Sequence, residues 1–379
     1  MPAALSSIET PALLLDHSRM DANIARMRTH LARLGVPMRP HVKTSKCIEA
    51  TRRLFDTGVG PITVSTLREA QFFFEHGFTD ILYGVAIAPN RFEATADLIR
   101  AGVSLKLVLD SLETASLLAE YARTHRQAFD VLLEIDCDGH RSGLPPDSPL
   151  IVEIAQLLRA AGIDVQGVMT HAGNSYDSRS VDEIVRYAHQ ERDAVVVAAR
   201  RLREAGFAAP VVSVGSTPTA LFADDLSGVT EVRAGVFIFF DLVMAGLGVC
   251  TQADIAVSVL TTVIGHQPQK GWTIVDAGWM ALSRDRGTAA QAVDQGYGVV
   301  CDANGKPLDD LIVIAANQEH GIVALRDPDA RQAHALHLPV GTQLRILPNH
   351  ACATSAQHAG YRVLDESGAH EYWPRIAGW

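Results

Sequence analysis

Residues 103–135 have the sequence VSLKLVLDSLETASLLAEYARTHRQAFDVLLEI, in which two short aliphatic runs flank one longer amphipathic stretch. The runs Val103–Leu109 and Asp130–Ile135 are typical of strands, and Ser111–Thr124 is typical of a helix. A helix between two strands gives the connection length that parallel pairing requires. These residues therefore predict one strand–helix–strand unit of a parallel sheet.

The same alternation recurs on both sides of this unit, up to about residue 240. The other predicted strands are Met38–Val42, Pro61–Ser65, Asp80–Val85, Val165–Thr170, Pro210–Val214 and Glu231–Phe237. The other predicted helices are Leu67–His76, Glu93–Arg100, Leu150–Ala161 and Asp182–Ala205. Eight such units predict a closed (β/α)8 barrel, with an open doubly wound sheet as the alternative.

After Val249 the pattern changes to strands joined by Gly-, Pro- and Asn-rich connections, with no long helix. The predicted strands are Ile255–His266, Trp272–Asp276, Leu311–Asn317, Ile322–Leu325 and Thr342–Leu347. We therefore expect a barrel domain over residues 17–248 and a mainly antiparallel β domain over residues 249–379. The strand-like segment Pro11–Asp16, within residues 1–16, is expected to pair with the β domain.

The chain carries a formal net charge of −10, and its basic residues are scattered rather than clustered. Nucleic acids and anionic membrane surfaces are therefore poor candidate partners. Neither a membrane span nor a signal peptide is indicated, so a cytoplasmic protein is the default expectation. The five cysteines are widely spaced and form no Cys-x-x-Cys pair, which argues against a disulfide scaffold.

Candidate functional residues follow the predicted strands, where (β/α)8 barrels build their sites. Lys43 follows the extended segment Pro40-His41-Val42, which can present a partly desolvated, nucleophilic amine. A solvated loop lysine is the alternative. Gly215-Ser216-Thr217 offers hydroxyls and backbone N–H groups to a phosphate, although Ser and Thr are also ordinary helix caps.

Three more side chains near predicted strand ends suit a planar, charged ligand. Arg141 lies in a Gly-flanked turn from which a cation can point into the barrel mouth, and a surface arginine is the alternative. His171 and Tyr176 can pack against a planar ligand, or they are a core histidine and a loop tyrosine. Gly-x-Gly-x-x-Gly after a strand and Walker A sequences are absent, which disfavours dinucleotide and ATP sites.

A metal pair is predicted in the segment Pro348-Asn349-His350-Ala351-Cys352. On an extended backbone, His350 and Cys352 project to the same side. Imidazole and thiolate suit zinc or another borderline metal, and two protein ligands leave positions open for water or substrate. A buried cysteine beside an exposed histidine is the alternative. Gln318-Glu319-His320-Gly321 is a second polar cluster, either support for this site or a plain turn.

Taken together, these segments resemble the D-serine dehydratase and D-threonine aldolase group of fold-type-III pyridoxal-phosphate enzymes, which have an alanine-racemase-like barrel. Within that group the chain looks most similar to the metal-dependent 3-hydroxy-D-aspartate dehydratases. The segments that carry the resemblance, in order, are Pro40–Lys43, Asp138–Gly143, Thr170–Gly173, Ser213–Thr217, Gln318–Gly321 and Pro348–Cys352.

The resemblance assigns roles to individual residues. It makes Lys43 the Schiff-base lysine and catalytic base, and it places Arg141 near the pyridine nitrogen of the cofactor. It makes His350 and Cys352 the metal pair, for zinc, manganese or magnesium. His171 and Tyr176, chosen from their place after a predicted strand, are also expected beside the cofactor. The residues expected around the cofactor phosphate are Gly215, Ser216, Thr217 and Gly235.

The implied function is α,β-elimination from a 3-hydroxy-D-amino acid, such as D-threo-3-hydroxyaspartate or D-serine, to a 2-oxo acid and ammonia. Cys352 departs from the His and Asp pair of the aldolases, which favours the dehydratase; an aldolase or an amino-acid racemase is the alternative. Arg284 and Arg286 can bind a β-carboxylate or belong to an exposed loop. The resemblance also implies a homodimer in which the partner's β domain completes each site.

Overall fold

The structure is a computed structural model that describes residues 5–331, 338–365 and 370–379. The chain divides into two compact units. One unit, called the barrel unit below, comprises Ala25–Gly235 with Gly378–Trp379. The other, called the β unit, comprises the chain up to Ile24 together with Val236–Ala377.

The elements alternate along the barrel unit and become mainly strands in the β unit. The strands are β1 (Ala12–Asp16), β2 (Ile62–Val64), β3 (Asp80–Ala86), β4 (Ser104–Leu109), β5 (Asp130–Ile135), β6 (Asp164–Thr170), β7 (Val211–Val214), β8 (Glu231–Val232), β9 (Val257–Gln267), β10 (Trp272–Val275), β11 (Val299–Cys301), β12 (Pro307–Ala316), β13 (Gly321–Leu325), β14 (Gln343–Leu347), β15 (Gly360–Leu364) and β16 (His370–Pro374). The α-helices are α1 (His17–Arg33), α2 (Ile48–Arg52), α3 (Leu67–Glu75), α4 (Phe92–Arg100), α5 (Leu112–His125), α6 (Leu150–Ala160), α7 (Val181–Glu204), α8 (Thr217–Phe222), α9 (Leu242–Gly246), α10 (Trp279–Leu282) and α11 (Ala351–Ser355).

Strands β2 to β8 form one parallel sheet in chain order. Residues 38–42 close this sheet into a ring, because Met38 bridges Val232 at one edge and His41 bridges Thr63 at the other. Both bridges are parallel, as in the rest of the sheet. The predicted (β/α)8 barrel is therefore confirmed, and the open doubly wound alternative is wrong.

Local sequence explains most elements of the barrel unit. Thr66, Ser111 and Ser180 cap α3, α5 and α7, where each side-chain oxygen accepts a backbone N–H of the first helical turn. Strand β5 is buried from Val131 onward, which is typical of a parallel strand covered on both faces.

No helix among the described residues is both long and apolar enough to cross a membrane.

Two predicted strands of the barrel differ most from the expectation. Met38–Val42 forms isolated bridges rather than a regular strand, since Pro40 has no N–H to donate to a ladder. The predicted strand Glu231–Phe237 ends at Val232, and Val236–Ile238 forms a 3-10 turn instead. The regular part of the last strand of the ring is thus only two residues long.

The β unit contains a second closed sheet. Strands β9, β10, β13, β12, β11 and β14 pair in that order, and β9 pairs with both β10 and β14, so the antiparallel ring is closed. Strand β1 pairs antiparallel with β9 and parallel with β15, and β16 completes the extension. The strand-like segment Pro11–Asp16 therefore pairs on both sides with strands of the β unit, over its residues 12–16.

Helix α1 and strands β11, β15 and β16 were not predicted. Helix α1 has the mostly polar sequence HSRMDANIARMRTHLAR, and its buried apolar residues Met20, Ile24, Met27 and Leu31 recur at helical spacing. That spacing is a usable signal, but the polar residues between dilute it. The three strands are only three to five residues long, too short for alternation to identify them.

Gly167 in β6 is a position where only glycine fits. Its φ is +146°, and a Cβ there would lie 1.9 Å from the carbonyl oxygen of Val211 on β7. We expect Gly167→Ala to lower the free energy of unfolding by about 3 kcal/mol or more, because the strained backbone must also move away from β7.

Gly162→Ala is the matched control for this prediction. Gly162 also has a positive φ, +77°, but no atom lies within 4 Å of its ideal Cβ position. Only conformational strain of about 1–2 kcal/mol is expected. Urea unfolding measures both variants, and equal losses of stability would show that the close approach to Val211 is unimportant.

Candidate active site

Lys43 lies in the turn that follows the ring-closing segment, at the end of the barrel where the parallel strands finish. Its backbone N–H donates to His41 Nδ1 over 3.4 Å. The residues on either side, Val42 and Thr44, are buried, whereas the Lys43 side chain is exposed. The turn carries the Lys43 side chain out of the packed layer, and partial desolvation of this amine stays a prediction.

The neighbouring Lys46 has a different environment. Its Nζ forms an ion pair of 2.9 Å with Oε1 of Glu69, a residue that is almost fully buried. Glu69 Oε2 also accepts the backbone N–H of Ser65 over 2.9 Å. Lys46 is thus committed to a structural ion pair, and Lys43 is the better-placed amine for a covalent cofactor.

Ser216 and Thr217, two neighbouring residues in the turn between β7 and α8, differ in the hydrogen bonding of their hydroxyl groups. Ser216 is the N-cap of α8, and its Oγ accepts the backbone N–H of Thr219 over 3.2 Å. Thr217 Oγ1 is buried and has no hydrogen-bond partner among the described residues. Because a buried polar atom without a partner costs about 1–3 kcal/mol, Thr217 fits a ligand oxygen such as that of a phosphate.

The glycines predicted beside a phosphate allow strands to approach each other. A Cβ on Gly215 would lie 2.8 Å from the backbone of Arg233, and one on Gly235 would lie 2.7 Å from the carbonyl oxygen of His41. The Gly215 N–H already donates to Glu191 Oε1 over 3.2 Å. Packing of the ring therefore explains both glycines without an anion.

His171 is held as a neutral imidazole next to these turns. Its Nδ1 donates to the carbonyl oxygen of Gly215, and its ring lies 5.9 Å from that of Tyr176, centroid to centroid. Burial, with the positive charges of Lys43 and Arg141, lowers the pKa of His171 to about 3. The proton is therefore on Nδ1 near neutral pH, and Nε2 is left as an acceptor.

Arg141 lies on the turn after β5 and is tied to the inside of the barrel. Its Nη2 is 3.9 Å from Oε1 of the buried Glu134, and half of the arginine side chain remains exposed. Burial raises the pKa of Glu134, and the charge of Arg141 acts in the opposite direction. The Gly143 N–H fixes the turn by donating to Asp110 Oδ2 over 2.9 Å. A role of Arg141 toward the ring nitrogen of a cofactor stays a prediction.

His350 and Cys352 begin a short helix rather than lie on a strand. His350 is the N-cap of α11 and Cys352 is in its first turn, so the predicted alternation along an extended segment is wrong. The buried carboxylate of Asp241 accepts the N–H of Ala351 over 2.9 Å, which favours the turn over a strand. The two side chains still meet, because Cys352 and His350 are hydrogen bonded.

Asp285 is the third member of this cluster. His350 Nδ1 donates to Asp285 Oδ2 over 2.6 Å, and the Gly287 N–H donates to Asp285 Oδ1 over 2.8 Å. Burial lowers the pKa of His350, but the charge of Cys352, the hydrogen bonds to Asp285 and Cys352, and the charge of Asp241 outweigh it and raise that pKa to about 11. Two anionic side chains around one imidazole suit a cation, whose binding would release the proton.

The donor set of this cluster is a pair. The described residues contain no group of three or more His, Cys, Asp or Glu side chains placed to hold a metal ion. His350 and Cys352 would supply imidazole and thiolate, and Asp285 would orient the imidazole through Nδ1. This arrangement fits a divalent cation that keeps open coordination positions.

The arginines considered for a second substrate carboxylate differ in their surroundings. Arg286 forms an ion pair of 2.7 Å with Asp294, whereas the exposed Arg284 stacks on Trp279 with 4.6 Å between its Cζ and the ring centroid. A role of either arginine toward substrate stays a prediction. The segment Gln318-Glu319-His320-Gly321 begins as an exposed turn between β12 and β13.

Sequence inspection missed three acids of these sites. Glu191 lies on the apolar face of α7, in register with Ala188 and Val195, so an acid in an apolar stripe was an available signal. Asp241 had a similar signal, as the charge that interrupts an apolar window. Asp285 had none, because nothing in an exposed-looking Ser-Arg-Asp-Arg run indicates that it meets His350.

Family models cover most of the chain. The model of the alanine racemase N-terminal domain matches residues 15–243. The model of a serine dehydratase domain matches residues 256–364.

Curated relatives match over nearly the whole chain. D-threo-3-hydroxyaspartate dehydratase of Delftia sp. (strain HT23) is 51% identical, with 100% of both chains covered. D-serine dehydratase of Dictyostelium discoideum is 30% identical over 95% of this chain and 94% of its own. D-threonine aldolase of Arthrobacter sp. is 27% identical over 97% of this chain and 92% of its own.

Solved structures of D-threo-3-hydroxyaspartate dehydratase also match over nearly the whole chain. The D-threo-3-hydroxyaspartate dehydratase from Delftia sp. HT23 superposes with a TM-score of 0.95 at 50% identity, covering 99% of this chain and 100% of its own. A cysteine-to-alanine variant of D-threo-3-hydroxyaspartate dehydratase, described as the metal-free form, superposes with a TM-score of 0.97 at 51% identity over 99% and 100% of the two chains.

The depressed pKa of His171 can be measured directly. We expect its ring signals in NMR spectra of isotope-labelled protein to show the Nδ1–H tautomer and no titration between about pH 8 and pH 5, because the folded pKa lies near 3. The unfolded chain binds this proton below about pH 6.5, so the stability contributed by neutral His171 is lost as pH falls from there toward 3.

His171→Gln, in which the signals disappear, provides the assignment. A titration midpoint close to 6.5 would mean that burial and the two neighbouring cations do not control this imidazole.

Proposed function

The chain belongs to the pyridoxal-phosphate enzymes with an alanine racemase N-terminal domain, in the group that contains the D-serine and D-threo-3-hydroxyaspartate dehydratases, and on that premise we propose that it is a metal-dependent dehydratase of 3-hydroxy-D-amino acids. Its substrate would be D-threo-3-hydroxyaspartate or D-serine, and its products a 2-oxo acid and ammonia. One observation carries the proposal: 51% identity to the Delftia enzyme over the full length of both chains.

Pyridoxal phosphate, when bound, withdraws electrons from the substrate Cα and so makes its proton acidic. Lys43 would hold the cofactor covalently, and its released Nζ would then take the Cα proton. The buried Thr217 hydroxyl would donate to the cofactor phosphate, which gives this orphaned group a partner. Arg141 would donate to the pyridine nitrogen and keep it unprotonated.

A divalent cation, zinc, manganese or magnesium, would make the β-hydroxyl a better leaving group. His350 and Cys352 would hold it, with Asp285 fixing the imidazole so that Nε2 faces the cation. The cysteine in this pair favours elimination over retro-aldol cleavage. The homodimeric state and the cytoplasmic location stay predictions from the sequence.

Lys43→Ala tests the covalent link. Turnover is expected to fall by at least roughly a thousandfold, because the amine that moves the proton is lost. Borohydride should no longer fix the cofactor to the protein. Lys46→Arg is the matched control, since arginine can keep the ion pair with Glu69 and Lys43 is untouched. A peptide map of the reduced wild-type protein with the cofactor on Lys46 would refute the assignment.

Chelation separates dehydratase from aldolase and racemase. Removing the metal, or Cys352→Ala, is expected to lower ammonia release from D-threo-3-hydroxyaspartate or D-serine on the order of a hundredfold. The absorbance of the bound cofactor should persist, because Lys43 and Thr217 are unchanged. Added divalent metal should restore the chelated wild-type protein but not the double substitution of His350 and Cys352.

Cys301→Ala is the control for loss of a thiol in the same unit, because Cys301 is buried in β11. Full ammonia release in strong chelator, with no metal found by elemental analysis, would overturn the metal's role. Glycine together with an aldehyde or glyoxylate as main products would assign the chain to the aldolases. Racemisation of D-alanine that survives chelation would assign it to the racemases.

A further inference from the structure

Helix α7 carries a buried acid that faces the barrel strands. Glu191 has a relative exposure of 2%, and burial raises the pKa of its carboxyl, although its hydrogen bonds oppose that shift. A buried carboxyl group is costly unless donors surround it. The donors around Glu191 therefore indicate why an acid occupies the apolar face of this helix.

The carboxyl group of Glu191 joins two separate turns. Its Oε1 accepts the backbone N–H of Ala172, after β6, over 2.9 Å and that of Gly215, after β7, over 3.2 Å. Its Oε2 accepts the hydroxyl of Thr219, in α8, over 2.6 Å. One side chain thus connects the turn that contains His171 to the turn that contains Ser216 and Thr217.

Additional hydrogen bonds connect the same two turns. Ser175 Oγ lies 2.9 Å from Ser216 Oγ and donates to the carbonyl oxygen of Ala172 over 2.7 Å. Ser216 Oγ is also 2.7 Å from Thr219 Oγ1. Ser175, Ser216 and Thr219 thus have hydrogen-bond partners in this network, whereas the Thr217 hydroxyl beside them has none among the residues that the structure describes.

We infer that Glu191 is a positioning residue for the cofactor phosphate, an inference that rests on the proposed function. Glu191 acts through the backbone of Gly215 and the side chain of Thr219, and in this way it sets where the Thr217 hydroxyl points. Without this acceptor, the β7–α8 turn loses two of its anchors and the phosphate meets a turn that is no longer preorganised.

The chemistry of the network predicts which substitution is tolerated. In Glu191→Gln, the amide oxygen can still accept from Ala172 and Gly215. The amide nitrogen can donate to Thr219 Oγ1, whose own proton then goes to Ser216 Oγ. Glutamine therefore preserves the frame, whereas alanine removes every acceptor and leaves buried N–H groups unpaired.

Equilibrium binding of pyridoxal 5′-phosphate and of pyridoxal to the cofactor-free protein tests the inference. Glu191→Ala is expected to weaken pyridoxal 5′-phosphate binding about tenfold or more while changing pyridoxal binding less than about threefold, because the lost interactions are those to a charged phosphate. Glu191→Gln should stay within about threefold of the wild type for both ligands.

Two further variants separate positioning from general stability. Glu231→Ala is the matched buried-carboxylate control, since Glu231 accepts from Arg39 Nε over 2.7 Å and Ser213 Oγ over 2.8 Å, whereas the donors at Ala172, Gly215 and Thr219 bind Glu191. It should lower the melting temperature without changing the preference for the phosphorylated ligand. Should Glu191→Ala not fold, Thr219→Val removes one arm of the network and should reduce that preference by about threefold.

The outcomes distinguish a failure of the proposed function from a failure of the role of Glu191. Wild-type protein that binds neither ligand overturns the proposed function and this inference with it. Wild-type protein that prefers the phosphorylated ligand, with the same preference in Glu191→Ala or Thr219→Val, overturns the role of Glu191 alone. Equal losses for both ligands would likewise show that Glu191 only stabilises the fold.

Discussion

Closure of the parallel sheet by residues 38–42 is the constraint from which the arrangement of the barrel unit follows. Arg39 and His41 donate backbone hydrogen bonds to Val232 and Ala234 on one side, and Val42 donates to Thr63 on the other. The side chain of Arg39 strengthens this junction, because its guanidinium binds the Glu231 carboxylate within the barrel. A closed ring brings all strand ends to one rim, which places Lys43, His171 and the β7–α8 turn at the same end.

The sequence alone predicted the elements whose signals are local. Strand β5 is a continuous apolar run, and helix α5 is an amphipathic stretch that begins at a serine cap. Each signal lies within a few neighbouring residues, and both elements were predicted. The sequence of residues 38–42 did not indicate that they form two isolated bridges instead of a regular strand. One of these bridges depends on Val232, which lies far away in the chain. Likewise, the approach of Asp285 to His350 joins residues 65 positions apart.

At the candidate metal site, the predicted pair of residues is brought together, but the predicted backbone conformation is wrong. His350 and Cys352 were chosen as a pair on the assumption of a strand, and the structure brings them together by a helix start instead. The pairing survives because His350, as the N-cap, keeps extended backbone angles (φ −135°, ψ 109°) and is not part of the helix itself. For Lys43 the assigned residue type and position match a strand end, whereas the exposure of its side chain between two buried neighbours could not be inferred from the sequence.

Buried acids, rather than apolar contacts, fix the turns that carry the candidate site residues. Glu69 holds the segment around Lys46, Glu191 holds the turns after β6 and β7, and Asp241 holds the start of α11. Apolar packing tolerates small shifts, but several N–H groups that converge on one carboxyl group define a single backbone arrangement. Such acids account for how short turns can have defined conformations without regular secondary structure.

The position of β1 has a consequence for how the chain is made. Ala12–Asp16 pairs with β9 and with β15, so this strand needs partners that are synthesised more than 240 residues later. The parallel barrel, encoded in between, can form while β1 is still unpaired. Final assembly of the β unit is therefore a late event in biosynthesis, and until then an apolar strand stays exposed to chaperones or to wrong pairing.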